Sequence, residues 1–215
     1  MISHLKCFLC GREYRWDEPI GLCECGKPLC VEYELGKGFD RAALADRPPN
    51  MWRYREVLPP CEPITLGEGM TPLIHAPSMG RSWYVKDESL NPTASFKARG
   101  MSAAVSMARS FGKSRVGVPT AGNAGGAMAA YAAAAGMEAL VLMPLDTPEA
   151  FKTECAYLGA RIEEVAGLIT DCAARLREMI ADEGAAGREP WLDLSTLKEP
   201  YRIEGKKTMG YELAE

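Results

Sequence analysis

Short apolar runs alternate with longer stretches of helical spacing from residue 82 to residue 215, and short loops join them. That alternation restricts the fold more than any other feature of the chain. Residues 82–86, 116–119, 139–143, 161–165 and 191–194 read as strands. Residues 96–110, 123–135, a segment opened by Thr147-Pro148-Glu149, residues 168–183 and the stretch from Tyr201 onward read as helices. Gly136 supplies a C-terminal stop for the second helix, and Thr147 with Pro148 supplies a cap and first turn for the third. Strands that alternate with helices in this way predict an α/β fold, with a parallel sheet flanked by helices on both faces.

The first 35 residues have a different character. Five of the eight cysteines, Cys7, Cys10, Cys23, Cys25 and Cys30, lie within the first thirty positions. In a reducing compartment such a cluster indicates a metal site rather than a disulfide framework. Cys7-Phe8-Leu9-Cys10-Gly11 is a knuckle, and Cys23-Glu24-Cys25-Gly26 is its partner with one residue fewer. Two such knuckles bring four thiolates to one tetrahedral zinc ion, with Cys30 as a substitute ligand if its loop folds back. The alternative is a ribbon that keeps its shape and holds no metal. Cys61, Cys155 and Cys172 are scattered and read as small hydrophobes. Residues 36–68 form a linker or an arm lying on another surface, polar and proline-rich up to Pro63 with Pro48-Pro49 and Pro59-Pro60.

Charge and hydropathy exclude some functions. The formal charge is −4, which is the wrong sign for a general nucleic-acid partner. No apolar run is long enough to span a bilayer, and the N-terminus lacks the apolar stretch of a signal peptide. The expected setting is the cytoplasm, with no membrane partner.

Two loops carry the chemistry. Asn91-Pro92-Thr93-Ala94-Ser95-Phe96-Lys97-Ala98-Arg99-Gly100 places a lysine at a helix start just after a turn. The positive end of the helix favours the neutral amine, which imine formation requires. Ser95 is placed to cap that helix or to donate to a bound phosphate; a capped helix with an exposed lysine has the same pattern. Pro119-Thr120-Ala121-Gly122-Asn123-Ala124-Gly125-Gly126-Ala127 follows a strand and opens a helix. Its small residues let backbone N–H groups approach a carboxylate or phosphate, and Asn123 adds a neutral donor. Tight packing on a sheet would demand the same small residues.

Taken together, the loops resemble those of the tryptophan-synthase-like pyridoxal-phosphate enzymes, the threonine synthases among them most closely. The matching stretches are Gly69-Met70-Thr71-Pro72-Leu73, Val85-Lys86-Asp87-Glu88, residues 90–100, Ala121-Gly122-Asn123-Ala124, and Pro200-Tyr201-Arg202-Ile203-Glu204-Gly205-Lys206-Lys207-Thr208. The resemblance implies pyridoxal phosphate as cofactor, held as a Schiff base by Lys97, which would also shuttle the substrate α-proton. It implies Phe96 beside the cofactor ring, Ser95 near its phosphate, and Asn123 donating to its phenolate oxygen. It implies backbone donors of Thr120, Ala121, Gly122 and Ala124 on the carboxylate of an amino-acid substrate, and a second copy of the chain as a candidate partner. The implied organisation is a cysteine-rich ribbon (1–35), an arm (36–68), the start of a large domain (69–96), a small α/β domain (97–198) and a return into an incomplete large domain (199–215).

Three departures bear on the substrate. Ala98 follows the lysine where threonine synthases usually carry Asp. Glu199 precedes Pro-Tyr-Arg where they commonly carry Asn, so a carboxylate is expected to face, and repel, a substrate phosphate. The glycine-rich phosphate loop expected further on lies beyond Glu215, so the chain reads as a truncated piece, inactive by itself. The reaction expected is conversion of O-phosphohomoserine to threonine and phosphate. A dehydratase or another β- or γ-replacing synthase, and a non-enzymatic zinc-ribbon module, are the alternatives.

Overall fold

The computed structural model of the chain describes residues 2–36, 41–79 and 82–215; residues 37–40 of the expected arm lie outside them. Strands β1 (Ile2–Cys7), β2 (Glu13–Tyr14) and β3 (Leu29–Tyr33) form an antiparallel sheet with β1 in the middle. A hairpin of β4 (Leu73–His75) and β5 (Tyr84–Lys86) follows. The remaining elements are α1 (Lys97–Ser110), β6 (Arg115–Pro119), α2 (Asn123–Ala135), β7 (Glu138–Pro144), α3 (Glu149–Tyr157), β8 (Arg161–Val165), α4 (Ile169–Ala185), β9 (Leu192–Asp193) and α5 (Tyr201–Ala214).

β6 to β9 make one parallel sheet in the order β8-β7-β6-β9. The pleat sends alternate residues to opposite faces. Ala139, Val141 and Met143 of β7 bury against α1 and α2, whereas Leu140 and Leu142 bury against Cys172, Leu176 and Met179 of α4. Those three α4 residues recur at i, i+4 and i+7, the spacing of one helix face. A two-faced parallel sheet therefore follows from the continuous apolar run of β7.

Two expectations are corrected. The strand at residues 82–86 joins the antiparallel hairpin with β4 and not the parallel sheet. Thr147 does not cap α3: the cap position is Pro148, and the buried Thr147 hydroxyl has no hydrogen-bond partner among the described residues.

The described part of the arm is well packed and is no free tether. Leu44, Met51, Trp52, Tyr54 and Leu58 are buried with Ala103 of α1. Trp52 Nε1 donates to Glu68 Oε1 (3.1 Å) and to Ser102 Oγ (2.9 Å), and Tyr131 donates its hydroxyl to Glu68 Oε2 (2.6 Å). A fully buried carboxylate is tolerated here because several donors surround it.

α1 and α5 meet backbone to backbone. A Cβ at Gly205 would lie 1.9 Å from the Arg99 carbonyl oxygen, so no larger residue fits. Beside that contact Arg99 is fully buried and pairs with Glu88 (Nε to Oε2, 2.7 Å) and with Glu212. Lys86 joins Glu212 Oε2 at 2.5 Å, and Met70 N donates to Glu212 Oε1 at 2.9 Å. Two cations and two carboxylates thus tie the 69–72 segment, β5, α1 and α5 together. Lys86, Glu88 and Arg99, from two of the family-like stretches, therefore have a structural role.

Candidate active site and thiolate cluster

Lys97 is the first residue of α1, and its half-buried amine rests 3.4 Å from the centroid of the Phe96 ring. Burial lowers its proton affinity below the ordinary lysine value, and the charge of Arg202 adds to the effect. Burial thus ranks ahead of any charge effect in favouring the neutral amine. Ser95 is buried, and its Oγ accepts the Lys97 backbone N–H at 3.3 Å, a contact that supports the turn before the helix. Ala94, one residue earlier, has φ of 51°, a left-handed conformation that L-residues rarely adopt.

The second loop runs from β6 into α2. Ala98, next to Lys97, and Ala124, next to Asn123, pack into the same core, so both helix starts are anchored to one body. Thr120 N donates to Leu142 O (2.9 Å) and Gly122 N to Thr120 Oγ1 (3.1 Å), so these two amides are committed inside the protein. Ala121 N, Asn123 N, Ala124 N and the exposed Asn123 side chain have no partner among the described residues. Gly125 and Gly126 serve packing: a Cβ on the first would lie 3.0 Å from Cys155 Sγ, and on the second 2.3 Å from the Glu154 carboxyl carbon.

The spacing of residues did not reveal a third group. Lys206, one turn beyond Arg202 on α5, also faces the Phe96 ring, with Nζ 5.9 Å from its centroid. Its proton affinity is pushed down to about 8 by burial and by the charges of Arg202 and Lys97. Arg202 is buried, donates Nη1 to Leu194 O at 2.6 Å, and leaves Nε without a partner among the described residues. Two lysines beside one aromatic ring, with the Arg202 charge close enough to act on both, are an arrangement that suits an anion. Glu199 lies close enough for its charge to act on Arg202 and Lys206, but its side chain is committed to the helix start. Its two oxygens accept Tyr201 N (2.9 Å) and Arg202 N (2.7 Å), closing the first turn of α5, and burial raises its proton affinity to about 7. The carboxyl expected to face a substrate phosphate is thus hydrogen-bonded into its own helix start. The signal that could have found this role was Glu199-Pro200, an acceptor followed by proline at a helix start.

Residues 64–215 match the family described as pyridoxal-phosphate dependent enzyme. The chain belongs to that family. Within it, the chain is 36% identical over 221 residues to a threonine synthase of Methanosarcina acetivorans, covering 99% of this chain and 53% of the relative. It is 39% identical over 170 residues to a threonine synthase of Mycobacterium leprae, covering 75% and 46%. The chain therefore spans about half the length of the curated relatives it matches. Among solved structures, apo diaminopropionate ammonia lyase of Escherichia coli superposes with a TM-score of 0.59 at 19% identity, covering 70% of this chain and 48% of that one. Maize serine racemase gives 0.56 at 21%, covering 66% and 43%. At such identities the likeness shows the fold.

The residues present fit the family's cofactor. A half-buried amine with depressed proton affinity, an aromatic ring beside it, and unpartnered donors at a helix start are the groups an aldehyde-bearing, anionic ring compound requires.

The ribbon has a separate centre. The sulfur atoms of Cys7, Cys10, Cys23 and Cys25 all lie within 4.8 Å of one another. Their close pairs are Cys23–Cys25 at 3.3 Å, Cys10–Cys23 at 3.5 Å, Cys7–Cys25 at 3.6 Å and Cys10–Cys25 at 3.8 Å. Zn–S bonds of about 2.3 Å in a tetrahedron set sulfur–sulfur edges of about 3.8 Å, so the donor set fits zinc. Leu9 N donates to Cys7 Sγ (3.4 Å) and the Tyr14 hydroxyl to Cys23 Sγ (3.1 Å). The Tyr14 bond holds the Cys23 thiol below its usual proton affinity. Cys30 lies apart from the four, donating to Lys6 O at 3.2 Å. Among the described residues no helix is long and apolar enough to cross a membrane.

Proposed function

We propose that this chain carries the lysine-bearing part of a pyridoxal-phosphate-dependent synthase of the threonine synthase type, which converts O-phosphohomoserine to threonine and phosphate in the cytoplasm. The observation that carries the reading is the Lys97 amine, half-buried on the Phe96 ring with its proton affinity lowered by burial, beside a loop with unpartnered donors. When bound, the cofactor supplies an electron-withdrawing ring that stabilises negative charge on the substrate carbons. Lys97 Nζ holds the cofactor, then takes and returns the substrate α-proton. Phe96 packs beside the ring, Ser95 supports the phosphate side, and Asn123 donates its side-chain amide to the ring oxygen. Ala121 N and Ala124 N orient the substrate carboxylate; Thr120 and Gly122 keep the loop in shape through the bond between them. Arg202 and Lys206 hold the phosphate that leaves. With Glu199 turned into α5, the phosphate-bearing substrate is favoured over the dehydratase alternative.

In this reading residues 97–198 form the small domain, a second copy of the chain completes a homodimer, and the Cys7, Cys10, Cys23 and Cys25 thiolates hold one zinc ion. Cysteines at metal spacing are the pattern expected in a reducing compartment. The test is pyridoxal phosphate added to the purified chain, reduced with borohydride and mapped by peptide mass spectrometry. The expected label is on Lys97, and Lys97→Ala removes it. A label that stays elsewhere in the Lys97→Ala chain with undiminished yield refutes the assignment.

A further inference from the structure

We propose that the thiolate ribbon is a positioning element of the active site: its folded state fixes the first turn of α5, and so the Arg202–Lys206 anion site. The inference rests on the zinc and anion-site readings above, and it adds a physical link between them.

The ribbon sheet has strands of 6, 2 and 5 residues, too little to bury a core of its own. A segment of that size takes its shape from metal ligation and from the surface it docks on. That surface is the start of α5. Tyr201 is buried in one cluster with Ile2, Leu5, Leu29 and two of the thiolates, Cys7 and Cys23. Its hydroxyl donates to the Trp16 carbonyl oxygen in the ribbon. One turn on, Glu204 accepts the Tyr33 hydroxyl of β3. At the loop before the helix the contact is backbone to backbone: a Cβ at Gly21 would lie 2.3 Å from the Lys198 carbonyl oxygen. The turn therefore has two sides. Tyr201 and Glu204 face the ribbon. Lys206 faces Phe96, the Arg202 charge acts on Lys97 and Lys206, and Glu199 bonds the two halves through the Tyr201 and Arg202 amides. If the ribbon opens, Tyr201 loses its socket and the turn that aims Arg202 loses its outer support.

The experiment uses the zinc-loaded, 15N-labelled chain before and after chelation, with two readouts. One is amide exchange at Tyr201 and Arg202, with α2 amides as internal reference. The other is a titration with inorganic phosphate followed at the Arg202 side-chain N–H. Chelation is expected to open residues 2–33, to strip protection from Tyr201 and Arg202 while α2 keeps its own, and to weaken phosphate binding roughly tenfold, the loss of about one charge-assisted hydrogen bond. Tyr201→Phe, which keeps the buried ring, and Gly21→Ala are expected to move both readouts the same way with zinc still bound. Retained protection and unchanged phosphate affinity after the ribbon opens overturn the proposal, as does loss of α2 protection to the same extent. If the chain takes no zinc, the metal reading fails and the two variants alone decide the coupling. If phosphate does not bind, the anion reading fails and amide exchange decides it.

Discussion

Glu199 gives the sharpest handle on the energetics of the site. Burial raises its proton affinity from the ordinary 4.5 to about 7, against two backbone hydrogen bonds and the Arg202 charge that pull the other way. A rise of that size corresponds to ~3 kcal/mol between the two protonation states. The sign follows from proton counting. Below about pH 4 the carboxyl is protonated in both folded and unfolded chains and contributes no pH dependence. As pH rises, the unfolded chain releases its proton first, so the folded state binds more protons and loses stability through this group. The loss is complete once pH passes the folded value near 7. Glu199→Gln cannot titrate, so other carboxylates cancel when variant and parent are compared. Urea unfolding midpoints of both chains between about pH 4.5 and 8 are the assay. The parent is expected to lose ~3 kcal/mol relative to the variant across that window. A difference that stays flat with pH, or that moves in the parent's favour, refutes the account of a buried, uncharged carboxyl at the start of α5.

Other outcomes follow from the α1–α5 contact. Gly205→Ala puts a methyl group 1.9 Å from the Arg99 carbonyl oxygen, so thermal unfolding should show a loss of ~1–3 kcal/mol or more from overpacking. Arg99→Met leaves Glu212 and the half-buried Glu88 with Lys86 as the one remaining cation of the network, and chemical denaturation should show a loss of ~3–5 kcal/mol. A change under about 1 kcal/mol in either variant would mean that the helices repack or that water reaches the carboxylates.

The parallel sheet, the Lys97 helix and the Ala-rich α2 were legible in the sequence because each depends on local periodicity and capping. The runs at 116–119, 139–143 and 161–165 carry apolar residues at the positions a buried strand needs, and Gly136 adopts the left-handed conformation that ends a helix. The lysine loop and the knuckle cysteines were legible for a related reason: neighbours in sequence must be neighbours in space. What the tertiary structure decided was the company these groups keep. Lys206 reaches the Phe96 ring only because Gly205 lets α5 lie against α1, more than a hundred residues away. Glu199 turns into its own helix, and the hairpin strand β5 leaves the parallel sheet for β4. Cys25, one residue closer to its partner than a knuckle requires, still reaches the other three sulfurs, because β1 and β3 set the loops opposite each other. Spacing along the chain fixes local geometry to within a turn of helix. Charge, burial and proton affinity depend on contacts made across the whole fold, and those are set by how the elements pack.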